Sequence, residues 1–353
     1  MNKNNYCIIM AGGIGSRFWP ISLAEKPKQF LDIIGCGRTL IQQTYDRFIN
    51  ICPAENIFIV TGEEYKALVL EQLPSIPENN ILQEPMRRNT APCIAYSNYK
   101  IKKINPNANI VVTPADHLII NEDLFIQNII DGISFAQSRN ILLTLGIKPD
   151  RPATGYGYIQ IDNKEISGDF IKAKSFTEKP NIELAKFFIE SGEFYWNSGI
   201  FIWTLNSIDK AFNEFLPEIH NLFEEHYESF NTPQESSALR KIYTDAKSIS
   251  IDYGVMEKAD NVYVLCTNFG WSDLGTWNSL YTIGGKDEFD NVKLGNNIST
   301  YNSSGNYIRT TEDKILAIKD MEDYIIVNTD KVLLICKREN EQDIKDIVNE
   351  LNK

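Results

Sequence analysis

Strand-like and helix-like segments alternate along the first half of this chain, and that alternation narrows the fold more than any other feature. Residues 6–10 form a short apolar run with strand character. Thr39 stands before a helical pattern of Leu40, Ile41, Tyr45 and Phe48. Residues 56–60 read as a second strand, and Thr61 with Glu64 has the spacing of a capping box for the next helix. Thr90, Ala91 and Pro92 open another helix, since proline is tolerated in a first turn. Strands over 109–113 and 141–146 flank a helix over 122–137. This order predicts an α/β fold: a mostly parallel, twisted, Rossmann-like sheet with helices on both faces. Such sheets bind ligands at the carboxyl ends of their strands, where the glycine loop after residue 10 and the stretch TPADH (113–117) both fall.

The glycine loop lies in MAGGIGSRFWPISLAEKPKQFL, residues 10–31. Glycines at 12, 13 and 15 are followed by the cations Arg17, Lys26, Lys28 and Arg38. A P-loop needs a lysine directly after its last glycine, and none stands there. A dinucleotide fingerprint fails at its third glycine, where the chain has Phe18. The shared physics remains: bare backbone lets N–H groups approach an anion, and cations then neutralise it. Taken alone, the loop is equally consistent with a plain glycine turn and solvated cations.

Net charge sharpens that reading. The chain carries −12 over 353 residues, so a nucleic-acid backbone is repelled and phosphate binding must rest on local cations. A 43% hydrophobic content suits a sizeable core, and the length predicts one large domain with a smaller appendage. No apolar run approaches the roughly 20 residues of a membrane span, and the N-terminal apolar stretch is too short for a signal peptide. The expected location is the cytoplasm. The cysteines, 7, 36, 52, 93, 266 and 336, form no C-x-x-C pair and read as reduced thiols. The histidines, 117, 220 and 226, lack zinc-site spacing, so a bound metal would be held by oxygen, as Mg²⁺ or Mn²⁺ is.

The second half is more mixed. Residues 153–180 are β-like, helices return over 182–191 and around 207–230, and TIGGKDEFD (282–290) marks a break. Short β runs with Asn/Gly turns follow, and a closing helix is expected near 341–351. The expected domains are 1–284 and a small β-rich 285–353.

The motifs AGGIGSRFWPIS…KPKQFL, QEPMRRNTAP (83–92), TPADH, GYGYI (155–159), FTEKP (176–180), WNSGIF (196–201), SIDYGVMEK (250–258) and GWSDLGTWNSL (270–280) occur in one order. Together they resemble the nucleotidyltransferases that make nucleoside-diphosphate sugars, most of all the mannose-1-phosphate guanylyltransferase branch. The resemblance is close over residues 6–280 and loose beyond them. It implies a nucleotide site formed by Ala11, Gly12, Gly13 and Gly15, with guanine read around Pro85, Arg88, Asn89 and Thr90. It implies a sugar-phosphate site of Gly155, Glu178, Lys179 and Asn197, with Lys179 on the phosphate. Arg17 and Lys26 are the expected catalytic cations beside Lys179, and Asp116 and Asp273 the expected Mg²⁺ ligands. Each aspartate also has a simpler reading as a turn former, and the pair Glu178–Lys179 as a surface ion pair. His117, next to Asp116, reads as structural, its side chain pointing away. The tail resembles the family's short left-handed β-helix without a clean hexapeptide period; packing and homodimer contact are both open to it.

The implied reaction is GTP plus mannose 1-phosphate giving GDP-mannose and pyrophosphate. The nucleophile is already an anion, so no general base is needed, in keeping with the absence of a His or Cys nucleophile arrangement. A glycosyltransferase on a similar sheet would show an Asp-x-Asp metal motif, which the chain lacks. A silent binding protein on this fold would be favoured by loss of Arg17, Lys26, Asp116 or Asp273, and all are present. The same chemistry with another base or hexose stays open, because a few contacts decide one hydroxyl's orientation.

Overall fold

The computed structural model describes residues 2–13 and 18–351; Gly15 and Arg17 lie outside the described residues. The chain forms two compact units. The first gathers Met1–Gly12, Thr44–Ala115 and Ile119–Trp271, the second Gly13–Gln43, Asp116–Leu118 and Ser272–Lys353.

Helices α1 (Leu40–Phe48), α2 (Lys66–Gln72), α3 (Thr90–Ile104) and α4 (Glu122–Ala136) alternate with strands β1 (Asn5–Met10), β2 (Ile57–Gly62), β3 (Ile81–Glu84) and β4 (Asn109–Pro114). After the two-residue β5 (Leu118–Ile119) come β6 (Leu142–Ile147), β7 (Gly157–Ser167), β8 (Phe170–Glu178), α5 (Ile182–Ser191), β9 (Phe194–Thr204), α6 (Leu205–Phe215), α7 (Pro217–Glu225), α8 (Glu235–Asp245) and β10 (Val262–Thr267). The sheet of the first unit has nine strands in the order β3-β2-β1-β4-β9-β6-β10-β8-β7. The α/β class holds, but the sheet is mixed where the alternation predicts a mostly parallel one. β3, β2, β1 and β4 run parallel, as do β6 and β10. β9 runs antiparallel to β4 and β6, and β8 to β10 and β7. The short Ser167–Phe170 connection through Gly168, at φ 65, permits only an antiparallel hairpin.

The parallel block places its chemistry at one edge. Met10 pairs with Val60 and Pro114, and Gly62 with Glu84, so β1, β3 and β4 deliver their carboxyl ends together. β1 and β2 are buried almost throughout, which accounts for their unbroken apolar character. Thr61 is not a cap: it is fully buried in β2, and its hydroxyl donates to the Ala11 carbonyl at 3.0 Å. The following 3₁₀ turn starts after Gly62, and no side chain caps it. The helical stretch near residue 216 breaks at Pro217, which opens α7 where its missing N–H costs nothing. Among the described residues no helix is long and apolar enough to cross a membrane.

The second unit contains β11 in part (Trp271–Ser272), α9 (Trp277–Ile283), β12 (Val292–Leu294), β13 (Ile298–Tyr301), β14 (Tyr307–Thr310), β15 (Leu316–Lys319), β16 (Tyr324–Asn328), β17 (Leu333–Lys337) and α10 (Ile344–Leu351). Parallel rungs stack: Val292 faces Tyr307, Tyr307 faces Ile325, and Ile298 faces Leu316. The first step is three residues shorter than the others, so no single sequence period marks this β-helix. Its core joins Phe18, Ile33, Trp277, Val292, Tyr307 and Ile325.

Stacked asparagines hold successive turns. Asn291 and Asn306 are wholly buried. The backbone N–H and Nδ2 of Asn306 donate to Asn291 Oδ1 at 3.1 and 2.8 Å, while Asn306 Oδ1 accepts from Tyr324 N–H at 2.9 Å. Asn306→Ala strands the Tyr324 donor and is expected to cost about 2–4 kcal/mol, since each buried unsatisfied group costs about 1–3. The midpoint of urea unfolding reads this; a loss below about 0.5 kcal/mol would mean that the stacked amides do not hold the turns.

Candidate active site

Three clusters gather most of the described residues singled out in the sequence. The first lies in the second unit and is organised by a lysine. Lys28 opens a single 3₁₀ turn, Lys28–Phe30, and is 5% exposed. A buried ammonium needs partners. Its Nζ donates to Asp116 Oδ2 at 3.0 Å and to the Asp273 carbonyl at 2.5 Å. One cation thus gathers two segments far apart in the chain. Asp273 turns its own Oδ1 to the Gly275 N–H at 3.0 Å, beside Leu274 at φ 45. Burial opposes ionisation of Asp116, but the Lys28 charge, His117 and the Lys28 hydrogen bond together hold its carboxyl below the usual value. Gln29 donates to the Gly13 carbonyl at 2.9 Å and so ties down the edge of the glycine loop.

Lys26, an expected catalytic cation, is exposed at a turn where its backbone pairs with Leu23, and Lys28 is the lysine that bonds Asp116 and the Asp273 backbone. The missed signal was its setting, a lysine within Pro-Lys-Gln-Phe whose four residues are all buried. One expectation does change: His117 does not point away, and its Nε2 stands 3.9 Å from Asp116 Oδ1. The bend at Ala115–Asp116 ends the strand alternation on which that expectation rested.

The second cluster lies in the first unit, at the ends of β1 and β3. Glu84 is 8% exposed, and its Oε1 accepts from the Tyr243 hydroxyl at 3.0 Å. A Cβ on Gly12 would stand 3.4 Å from the other oxygen, Oε2, so the glycine backbone runs directly over this carboxylate. Burial pushes the Glu84 carboxyl up to about 7, against the opposing pull of Tyr243 and Arg87. The sequence reading passed over Glu84. Ala11 is buried, with its N–H on the Val60 carbonyl and its own carbonyl on Thr61. Arg88 spends its Nε and Nη2 on the carbonyls of Tyr243 and Thr244, at 2.7 and 3.0 Å, and clamps the end of α8. Asn89, at φ 67, caps α3 by accepting from Thr90 N–H, and the Thr90 hydroxyl accepts from Ile251 N–H at 2.8 Å. Pro85 follows Glu84 and is half-buried.

The third cluster, also in the first unit, joins the ends of β7 and β8 to β9 and to a single π turn, Asp252–Met256. Asn197 is 9% exposed; its Oδ1 accepts from the Thr144 hydroxyl at 3.1 Å and its Nδ2 donates to Asp252 Oδ1 at 2.8 Å. Lys179, at φ 49, places its Nζ 2.5 Å from Glu178 Oε2. The Glu178 side chain is 5% exposed and that of Lys179 57%, so the carboxylate is fixed and the ammonium can turn. Burial works against the Lys179 ammonium, but the Glu178 carboxylate outweighs it and raises its pKa. Burial, reinforced by the Glu178 charge, pushes the Asp252 carboxyl up to about 6. A Cβ on Gly157 would run into Glu178 Oε1, whereas one on Gly155 would stand in open space. The backbone that must stay bare for packing is therefore at Gly157; Gly155 lies on an exposed turn. Trp196 and Trp203 are buried, and Tyr156 contacts Trp196 and Trp271 edge-on at 4.9 and 5.2 Å.

One further group of metal-capable side chains exists among the described residues: Asp209, His220 and Glu224. Lys102 already bonds Glu224 at 2.7 Å and Asp209 at 3.5 Å there, which satisfies the carboxylates without an ion.

The profile of the nucleotidyl transferase family matches residues 6–288, and that of the MannoseP isomerase/GMP-like beta-helix domain matches residues 295–351. A mannose-1-phosphate guanylyltransferase of Escherichia coli is 36% identical over 354 residues, covering 98% of this chain and 75% of the relative. Mannose-1-phosphate guanylyltransferase 2 of Escherichia coli O157:H7 is 37% identical over 356 residues, covering 98% and 73%. Among solved structures, one described as a mannose-1-phosphate geranyltransferase from Thermus thermophilus superposes with a TM-score of 0.89 at 27% identity, covering 99% of this chain and all of that one.

Proposed function

The chain belongs to the nucleotidyl transferase family, and from that premise we propose how its residues divide the work of guanylyl transfer. The enzyme transfers GMP from GTP to mannose 1-phosphate, giving GDP-mannose and pyrophosphate. A phosphate oxygen of the sugar forms the new bond to the α-phosphorus of GTP, the bond from that phosphorus to the β-phosphate bridging oxygen breaks, and pyrophosphate leaves with the electron pair. The attacking oxygen is anionic at neutral pH, so alignment and charge neutralisation carry the rate.

The observation that carries the assignment is Lys28 bridging Asp116 to the Asp273 backbone. We assign Lys28 to the phosphates of GTP, with Arg17 as a second cation. The carboxylates of Asp116 and Asp273 are hard oxygen donors, and Asp116 is held ionised, so the pair fits Mg²⁺ with Mn²⁺ as substitute. Bound there, Mg²⁺ neutralises and orients phosphate oxygens. Guanine is read by Glu84, whose carboxylate matches the adjacent N1–H and N2–H donors of that base. The sugar hydroxyls meet Glu178 and Asn197, and Lys179 turns from Glu178 to the sugar phosphate. The cytoplasm is the expected location.

Pyrophosphate release over four NTPs and several hexose 1-phosphates tests this reading. GTP with mannose 1-phosphate is the expected best pair. A tenfold faster rate for UTP or dTTP with glucose 1-phosphate overturns it.

A further inference from the structure

We propose that Asp252 is a positioning residue for sugar recognition: it locks the Asn197 amide so that this side chain meets the sugar only as a hydrogen-bond donor. The inference rests on the reading of the Asn197 cluster as the sugar pocket.

Two partners of fixed character set the amide. The Gly199 N–H can only donate, and it lies 3.2 Å from Asn197 Oδ1. An ionised Asp252 can only accept, and its Oδ1 lies 2.8 Å from Asn197 Nδ2. The orientation is therefore dictated by the network. The Thr144 hydroxyl stands at 3.1 Å on the other side of Oδ1. The single Thr144 hydroxyl hydrogen is shared between Asn197 Oδ1 and the Ile200 carbonyl, which also lies at 3.1 Å. Asn197 Oδ1 is thus enclosed between the Gly199 N–H and the Thr144 hydroxyl, and among the described residues the second Nδ2 hydrogen of the amide has no partner. A buried donor of this kind selects a hydroxyl that presents its oxygen, and an unmatched one is costly.

Asp252 is well placed to act as the lock. It opens the π turn Asp252–Met256, an uncommon geometry found often at functional sites. The charged groups that act on it are Glu178, which disfavours its ionisation, and Lys179, which favours it. Glu257, directly after that turn, accepts from the Glu178 N–H at 3.3 Å and couples the turn to the end of β8. The raised carboxyl value of Asp252 means that the lock weakens on the acid side of about pH 6.

The test separates sugar from nucleotide. Asp252→Ala should raise the KM for mannose 1-phosphate at least about tenfold while the KM for GTP stays within about twofold, as one lost charge-assisted bond predicts. Asp252→Asn keeps an acceptor and should recover most of that loss. The pH profile adds a readout that a merely structural role would not move. In the wild type the KM for mannose 1-phosphate should climb as pH falls through about 6 more steeply than in Asp252→Asn. The phosphate of the substrate titrates nearby (about 6) and is common to both proteins, so the difference belongs to Asp252. Asn197→Asp, which replaces the donor by an acceptor, should lose more than either. Equal rises in both KM values, or identical pH profiles, overturn the inference and leave guanylyl transfer standing. A wild type that turns over no hexose 1-phosphate overturns both.

Discussion

Lys28→Met is expected to lower kcat by at least about a thousandfold, the largest loss for any single substitution outside Arg17. Loss of one preorganised charge-stabilising group typically costs about a hundred- to a thousandfold, and Lys28 also sets the place of a second. It holds Asp116 Oδ2 at 3.0 Å and the Asp273 backbone at 2.5 Å, so its removal loosens both expected metal ligands. Asp116→Asn and Asp273→Asn should each lose at least about a hundredfold, because metal-assisted charge stabilisation is worth several kcal/mol and about 1.4 kcal/mol is tenfold. The double mutant should fall well short of the product of the two losses, since both act through one ion. Added Mg²⁺ or Mn²⁺ should restore part of the rate in each aspartate variant and little in Lys28→Met. A near-normal kcat for Asp273→Asn at limiting Mg²⁺ would reduce that residue to a turn former. The Asp116 carboxyl is depressed in the folded protein. Its stabilising share is therefore present above the ordinary carboxylate range (about 4) and is lost only as pH falls through the folded value. A decline in rate between about pH 8 and 5 thus has its source elsewhere.

Glu84→Gln is expected to change which nucleotide the enzyme uses. A carboxylate accepts both the N1–H and N2–H of guanine, whereas a carboxamide pairs with a base that offers one donor and one acceptor. Xanthine has that pattern, with a carbonyl in place of the amino group. The variant should lose at least about tenfold with GTP and gain a comparable factor with XTP, since a bidentate base contact is worth about 1–3 kcal/mol. Equal loss with every nucleotide would show that Glu84 serves only to hold Tyr243. The pH dependence has a definite sign. The Glu84 carboxyl titrates near 7 in the folded protein, above an exposed glutamate. The protein without nucleotide therefore gains relative stability as pH falls from about 7 toward the ordinary range. Guanine donors favour the ionised form, so the KM for GTP should rise as pH falls below about 7 in the wild type and stay flat in Glu84→Gln.

Several features follow from local rules that the chain writes out directly. The apolar runs of β1, β2 and β4, Asn89 before Thr90 of α3, and Asn181 before α5 place these elements, because period, caps and turn residues act over a few positions. The ordered motifs point to the family, and the side chains proposed for catalysis stand inside them. What local rules do not reach is pairing across long separations. The antiparallel course of β9 between β4 and β6 depends on which strand edges remain open once the parallel block has formed. Thr61 looks like a cap until burial turns its hydroxyl to Ala11. Lys26 and Lys28 are equivalent as letters, and only packing exposes the first and buries the second against Asp116. Glu84 and Asp252 escape a reading of the sequence for the same reason. A carboxylate draws its acid strength and its partners from surroundings assembled by residues more than fifty positions away, here Tyr243 and Asn197. Desolvation is a property of the folded environment, and it is the largest of the causes that turn those two side chains from ordinary acids into groups that titrate near neutrality.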